Sequence, residues 1–81
     1  TNTARTLHNM GALARDQGDY PTARKYYDEA LAIRRKVLGD LHINTAGTLQ
    51  NLGVLAVDQA DYPAAQKYYD EALAIYRKVL G

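Results

Sequence analysis

Residues 19–39 read DYPTARKYYDEALAIRRKVLG, and residues 61–81 read DYPAAQKYYDEALAIYRKVLG. The two stretches lie 42 positions apart, and the match extends back to the start of the chain. Residues 1–39 pair with 43–81, and only ten of those 39 pairs differ: 1/43, 5/47, 8/50, 10/52, 12/54, 15/57, 18/60, 22/64, 24/66 and 34/76. Likeness this dense is a tandem duplication, and self-similarity at such a period marks a repeat architecture.

Each unit reads as two helices joined by a tight turn. The first spans about 3–17 and 45–59, with Leu7, Met10 and Ala14 at three- and four-residue steps along one side. Gly18-Asp19 ends it in the first unit; Ala60-Asp61 is a weaker stop in the second. The second helix spans about 21–38 and 63–80. Pro21 and Pro63 suit its first turn, where a missing N–H would lack a partner in any case. Asp19 and Asp61 can accept orphan N–H groups at the positive end of the helix dipole. Ala23, Tyr27, Ala30, Leu31 and Val37 fall on the apolar side, Arg35 and Lys36 lie near the negative end, and Gly39 stops the run. No window reads as a strand. The fold class is all-α: two tandem helix–turn–helix repeats, 1–42 and 43–81, giving four antiparallel helices.

Small residues place the crossing. Gly11 and Ala14 are expected to face Ala23 and Ala30, so that the helix axes approach to about 8–10 Å, with Tyr20 and Tyr27 filling the wedge on either side. Packing accounts for the seven tyrosines, and Tyr76 is the one expected to be exposed. Arg24 with Asp28 and Lys25 with Glu29 stand four apart, at the spacing of surface ion pairs.

Composition removes several function classes. Eighty-one residues form one small domain, burying only about 60% of the surface the unfolded chain exposes. There is no cysteine, so neither a disulfide nor a thiolate metal site supports it. A net charge of +1 with mixed signs gives no basic stripe for nucleic acid. No apolar run nears the roughly 20 residues that span a bilayer, and no signal-peptide pattern opens the chain. No nucleic-acid or membrane partner is therefore expected, and the location is expected to be cytoplasmic. A chain opening on Thr1 is expected to be part of a longer one. His8 and His42 lie far apart with no metal-ligand spacing around them, and no phosphate loop or nucleophile motif is present. Asp28-Glu29 and Asp70-Glu71 are helix neighbours that diverge by about 100°. No enzyme, metal or cofactor is expected.

The order Leu7-x-x-Met10-Gly11-x-x-Ala14, then Gly18, Tyr20, Ala23, Tyr27 and Ala30-Leu31, resembles a tetratricopeptide repeat over essentially the whole chain. Leu49, Leu52-Gly53, Ala56, Tyr62, Ala65, Tyr69 and Ala72-Leu73 repeat it. The period departs from the usual 34 or so, and the usual proline after the second helix is missing. The longer unit resembles those of kinesin light chain and related bacterial tandem arrays, whose linker commonly reads Gly-x-x-His-Pro-Asp. Residues 39–44 keep His42 but lack that proline. A helix continuous through the linker, and a swapped dimer, is the alternative that Gly39 argues against.

The resemblance implies a fragment of an α-solenoid, a superhelix whose first helices line a concave face that binds partners. Four unlike pairs, at 5, 8, 12 and 15, form one stripe of the first helix, and in the family such positions face the groove. The stripe is Arg5, His8, Ala12 and Arg15 in copy one, and Gly47, Gln50, Val54 and Val57 in copy two. It suits an extended peptide with an acidic part and a hydrophobic part, although drift at solvent-facing positions gives the same stripe. Asn9 and Asn51 lie beside it, each able to bracket a peptide unit or to fix helix packing instead. The Arg5…Asn9 spacing is that of relatives that clamp a C-terminal carboxylate, but Gly47…Asn51 lacks the basic residue, so a full clamp is not expected. Tyr69, Leu73, Tyr76 and Leu80 are expected to leave an apolar end exposed, a mark of association. Further copies of the chain are the expected partner there, head to tail. The function expected is a protein- or peptide-binding scaffold; the alternative is a structural building block, natural or engineered, with no ligand.

Overall fold

The structure, a computed structural model, describes residues 2–81; Thr1, half of the unlike pair 1/43, lies outside them. Helix α1 covers Asn2–Asp16, α2 Tyr20–Val37, α3 Ile43–Asp58 and α4 Tyr62–Leu80, with no strand among the described residues. α1 packs on α2 and α3 on α4, and the two hairpins stack through α2 against α3. The result is a slab of 35 × 29 × 15 Å.

Local chemistry sets each helix end. Asp19 caps α2 by accepting the Thr22 N–H at 3.4 Å, and Asp61 caps α4 by accepting the Ala64 N–H at 3.3 Å. The tyrosine after each cap is thus the first helical residue, with the proline one place further in. The turn before α2 needs a left-handed residue, and Gly18 supplies it at φ +77°. Ala60 holds the equivalent place at φ +59°, the sole described non-glycine residue with positive φ. A side chain in that conformation costs about 1–2 kcal/mol.

The linker does not propagate a helix. Gly39 turns left-handed at φ +93°, its N–H still bonded to Arg34 and Arg35 carbonyls. His42 is extended and caps α3 by accepting the Asn44 N–H on Nδ1 at 3.0 Å. Thr45 donates its hydroxyl to the Gly39 carbonyl at 2.9 Å, which ties the new helix to the end of the old one. Glycine and a histidine cap together replace the missing proline, and the continuous helix does not form.

The core runs across both hairpins: Ala14, Ala23, Tyr27 and Leu31 meet Leu49, Leu52, Leu55 and Ile75. The expected crossing of small residues needs one correction. Gly11 faces the Tyr27 ring, and a Cβ there would stand 2.8 Å from ring carbons; at Gly53 it would stand 2.6 Å from Tyr69. Each glycine is therefore a seat for an aromatic ring of the second helix. The expectation for Tyr76 is also corrected. It is half-buried and donates its hydroxyl to Gln50 Oε1 at 3.3 Å, whereas Tyr62 is the most exposed tyrosine. Of the two expected surface pairs, Arg24 and Asp28 come within 3.8 Å, and Lys25 and Glu29 form none.

Candidate interaction surface

α1 carries Arg5, His8, Asn9, Ala12 and Arg15, and α3 carries Gln50, Asn51, Val54 and Val57. Two polar contacts lace the helices together. Arg15 Nε donates to Asp58 Oδ2 at 2.6 Å, and His8 Nε2 meets Asn51 Nδ2 at 3.0 Å. Gln50 is engaged by Tyr76, as above. Arg5, Asn9 and Val57 remain exposed, while Ala12 and Val54 are partly covered.

His8 is half-buried in this joint. Its ring meets that of Tyr27 edge-on with centroids 5.5 Å apart, and its Nδ1 is buried without a hydrogen-bond partner. Burial first, and the charge of Arg34 second, hold the imidazole below its ordinary pKa, because both disfavour a cation there. Arg34 reaches across from α2. Its Nη1 donates to Thr48 Oγ1 at 2.7 Å and to the Asn44 carbonyl at 3.3 Å. Thr48 is fully buried and donates its hydroxyl to the Asn44 carbonyl at 3.2 Å. Burial lowers the Arg34 guanidinium, which stays charged in any protein setting. The bond to Asp58 raises that of Arg15.

Three of the ten unlike pairs, 8/50, 15/57 and 34/76, thus have a copy-one member that bridges to copy two. The stripe read from the sequence assigns 8 and 15 to a groove, and in the structure both side chains hold the two copies together. Arg34, Thr48 and Asp58 are functional members of the joint that the stripe does not include. The unlike pair 34/76 is the signal for Arg34. Thr48 and Asp58 gave none, because Thr6 and Asp16 are identical to them.

The clefts lie elsewhere. A cleft of about 420 Å³ opens between α2 and α4, lined by Arg24, Asp28, Arg35, Lys67 and Glu71 among others, and by neither the stripe residues nor Asn9 and Asn51. Its charge is largely answered internally: Arg35 Nη2 donates to Glu71 Oε2 at 3.1 Å and Arg35 Nε lies 3.4 Å from Asp40. A shallower groove of about 250 Å³ is lined by Gln50, Tyr69, Ala72, Leu73 and Tyr76, and is mainly apolar. Leu80, the last member of the expected apolar end, is exposed beyond it. Among the described residues no cluster of His, Cys, Asp or Glu is placed to hold a metal ion. No described helix is long and apolar enough to cross a membrane.

A family model described as tetratricopeptide repeat matches residues 2–78, so the chain belongs to the tetratricopeptide repeat family. Repeats of this kind are generally non-catalytic scaffolds for protein–protein interaction. The crystal structure of BtubC (BKLC) from P. vanneervenii is similar, with a TM-score of 0.92 and 29% identity. The likeness covers 94% of this chain and 30% of that one, so the chain spans under a third of BtubC. A comparison with curated proteins gives no match.

Proposed function

We propose that this chain, as repeat units 1–42 and 43–81, is a non-catalytic scaffold that receives an extended peptide across α1 and α3. On this reading Arg5 and Asn9 take the polar part of the peptide, and Ala12, Val54 and Val57 its apolar part. The observation that carries it is the exposure of Arg5, Asn9 and Val57 on two helices locked in fixed register by Arg15–Asp58 and His8–Asn51. Preorganised side chains lose little freedom on binding. The open ends of the slab are the second half of the reading, where further repeats associate.

A peptide-library selection against the 81-residue chain tests the groove. Selected peptides are expected to pair acidic with apolar residues. Arg5→Ala should weaken them about tenfold, the ~1.4 kcal/mol of a single charge-assisted contact, and Val57→Asp should abolish the apolar half with helicity unchanged. A selection without specific binders would instead favour a structural building block. That second reading has its own support, since His8 and Arg15 already serve the scaffold.

A further inference from the structure

The two copies present the same surfaces in two states, one covered and one open. On the second helices, Tyr27 and Leu31 are 3% and 8% exposed, while their equivalents Tyr69 and Leu73 are 37% and 46% exposed. On the first helices, Leu55 is 1% exposed and its equivalent Leu13 is 59% exposed. The residues are identical within each pair, so the difference comes from the neighbouring hairpin: α3 covers α2, and none of the described residues covers the outer side of α4 or the far side of α1. The groove beside Tyr69, Ala72, Leu73 and Tyr76 is the place in copy two that α3 occupies in copy one.

We infer that a second copy of this chain docks the open side of its α1 onto the outer side of α4, repeating between chains the joint that α3 makes with α2. The inference rests on the interaction-scaffold reading and names its partner. It also sets the register. Leu13 of the incoming copy takes the position of Leu55, and Glu29 of the incoming copy meets Arg77 as Glu71 meets Arg35 at 3.1 Å. The incoming copy keeps the receiving groups of the internal joint, since Thr6, Asn9 and Asp16 are identical to Thr48, Asn51 and Asp58, and all three are exposed.

The receiving end is altered at three points. Gln50, Val57 and Tyr76 stand where copy one has His8, Arg15 and Arg34, so the joint between chains keeps the apolar contact and the Arg77–Glu29 pair and loses those three polar bridges. Association between chains is therefore weaker than between copies, and it is reversible. The contact is heterologous, so it continues from chain to chain instead of closing on a dimer.

Sedimentation of the 81-residue chain over a wide concentration range tests this, together with Leu13→Glu and Leu73→Glu, which alter exposed side chains and leave the core intact. The parent mass is expected to rise with concentration past that of two chains. Each variant alone is expected to stay monomeric. Their equimolar mixture is expected to stop at a one-to-one dimer, because one partner keeps an intact α4 face and the other an intact α1 face. Arg77→Glu should weaken association, and adding Glu29→Arg should restore it. A monomeric parent at every concentration overturns the inference, as does self-association of Leu13→Glu alone, which would mean that two α4 faces pair with each other. Neither result touches peptide binding, which the library selection reads separately.

Discussion

Alanine placed at Gly11 and at Gly53, one at a time, asks the same chemical question of two identical seats with different surroundings. Alanine in a helix interior is better than glycine by about 1 kcal/mol. Against that gain, the new Cβ would stand 2.8 Å from Tyr27 ring carbons, or 2.6 Å from those of Tyr69. Carbon contacts settle near 3.5–4.0 Å, so each ring must retreat by about 1 Å. Tyr27 is almost fully buried and has the His8 ring against it. It has nowhere to go, and overpacking of that sort costs about 1–3 kcal/mol. Tyr69 is far more exposed and can swing toward solvent. Gly11→Ala is therefore expected to lose up to about 2 kcal/mol, and Gly53→Ala to be neutral or to gain up to about 1 kcal/mol. The assay is urea unfolding followed by helical circular dichroism, at a concentration where the chain is monomeric. With a slope near 1 kcal/mol/M, the two midpoints should separate by about 1–2 M. Equal shifts, or a Gly11→Ala more stable than Gly53→Ala, would refute the view that the neighbouring hairpin pins Tyr27.

Four further outcomes follow from the joint and the turns. His8 has a folded-state pKa below its unfolded value of about 6.5, so protons bind the unfolded chain preferentially. Stability is expected to hold above about pH 6.5 and to fall as the pH drops below it toward the folded value. Urea midpoints against pH should show that fall in the parent and not in His8→Gln, the residue copy two carries. Arg15→Val removes an ion pair whose side chains are 36% and 25% exposed, so it should cost no more than about 1 kcal/mol. The difference from the parent should shrink at high salt. Gly39→Ala meets no neighbouring atom yet must hold φ +93°, and thermal unfolding should show a loss of about 1–2 kcal/mol. Ala60→Gly should recover part of the same strain.

How far the sequence reaches is visible residue by residue. The duplication, the three- and four-residue spacing of Leu7, Met10 and Ala14, and the Asp-Tyr-Pro starts suffice for four helices in two hairpins, because those signals are local. The seat that Gly11 makes for Tyr27 was not legible. A glycine in a helix reads alike whether it faces a backbone or a ring, and the choice depends on where the partner helix is rotated. The joint was hidden for a related reason. His8 and Arg15 lie on the stripe that a groove would also use, and their partners Asn51 and Asp58 show no difference from Asn9 and Asp16. Only the stacking of the hairpins tells a residue turned toward its neighbour from one left for a ligand. His42 was visible as a match to the linker pattern common in the resembling arrays, while its use as the cap of α3 emerged from the backbone.

The central claim is that one joint serves within the chain and between chains, and that three side chains set its strength. Grafting copy one's residues onto copy two, as Gln50→His, Val57→Arg and Tyr76→Arg together, tests it most directly, because the groups that would receive them, Asn9, Asp16 and Thr6, are already exposed on α1. Sedimentation of the triple variant beside the parent should show association at lower concentration and longer assemblies at equal concentration. An association curve that coincides with the parent's, or weakens, would contradict the account.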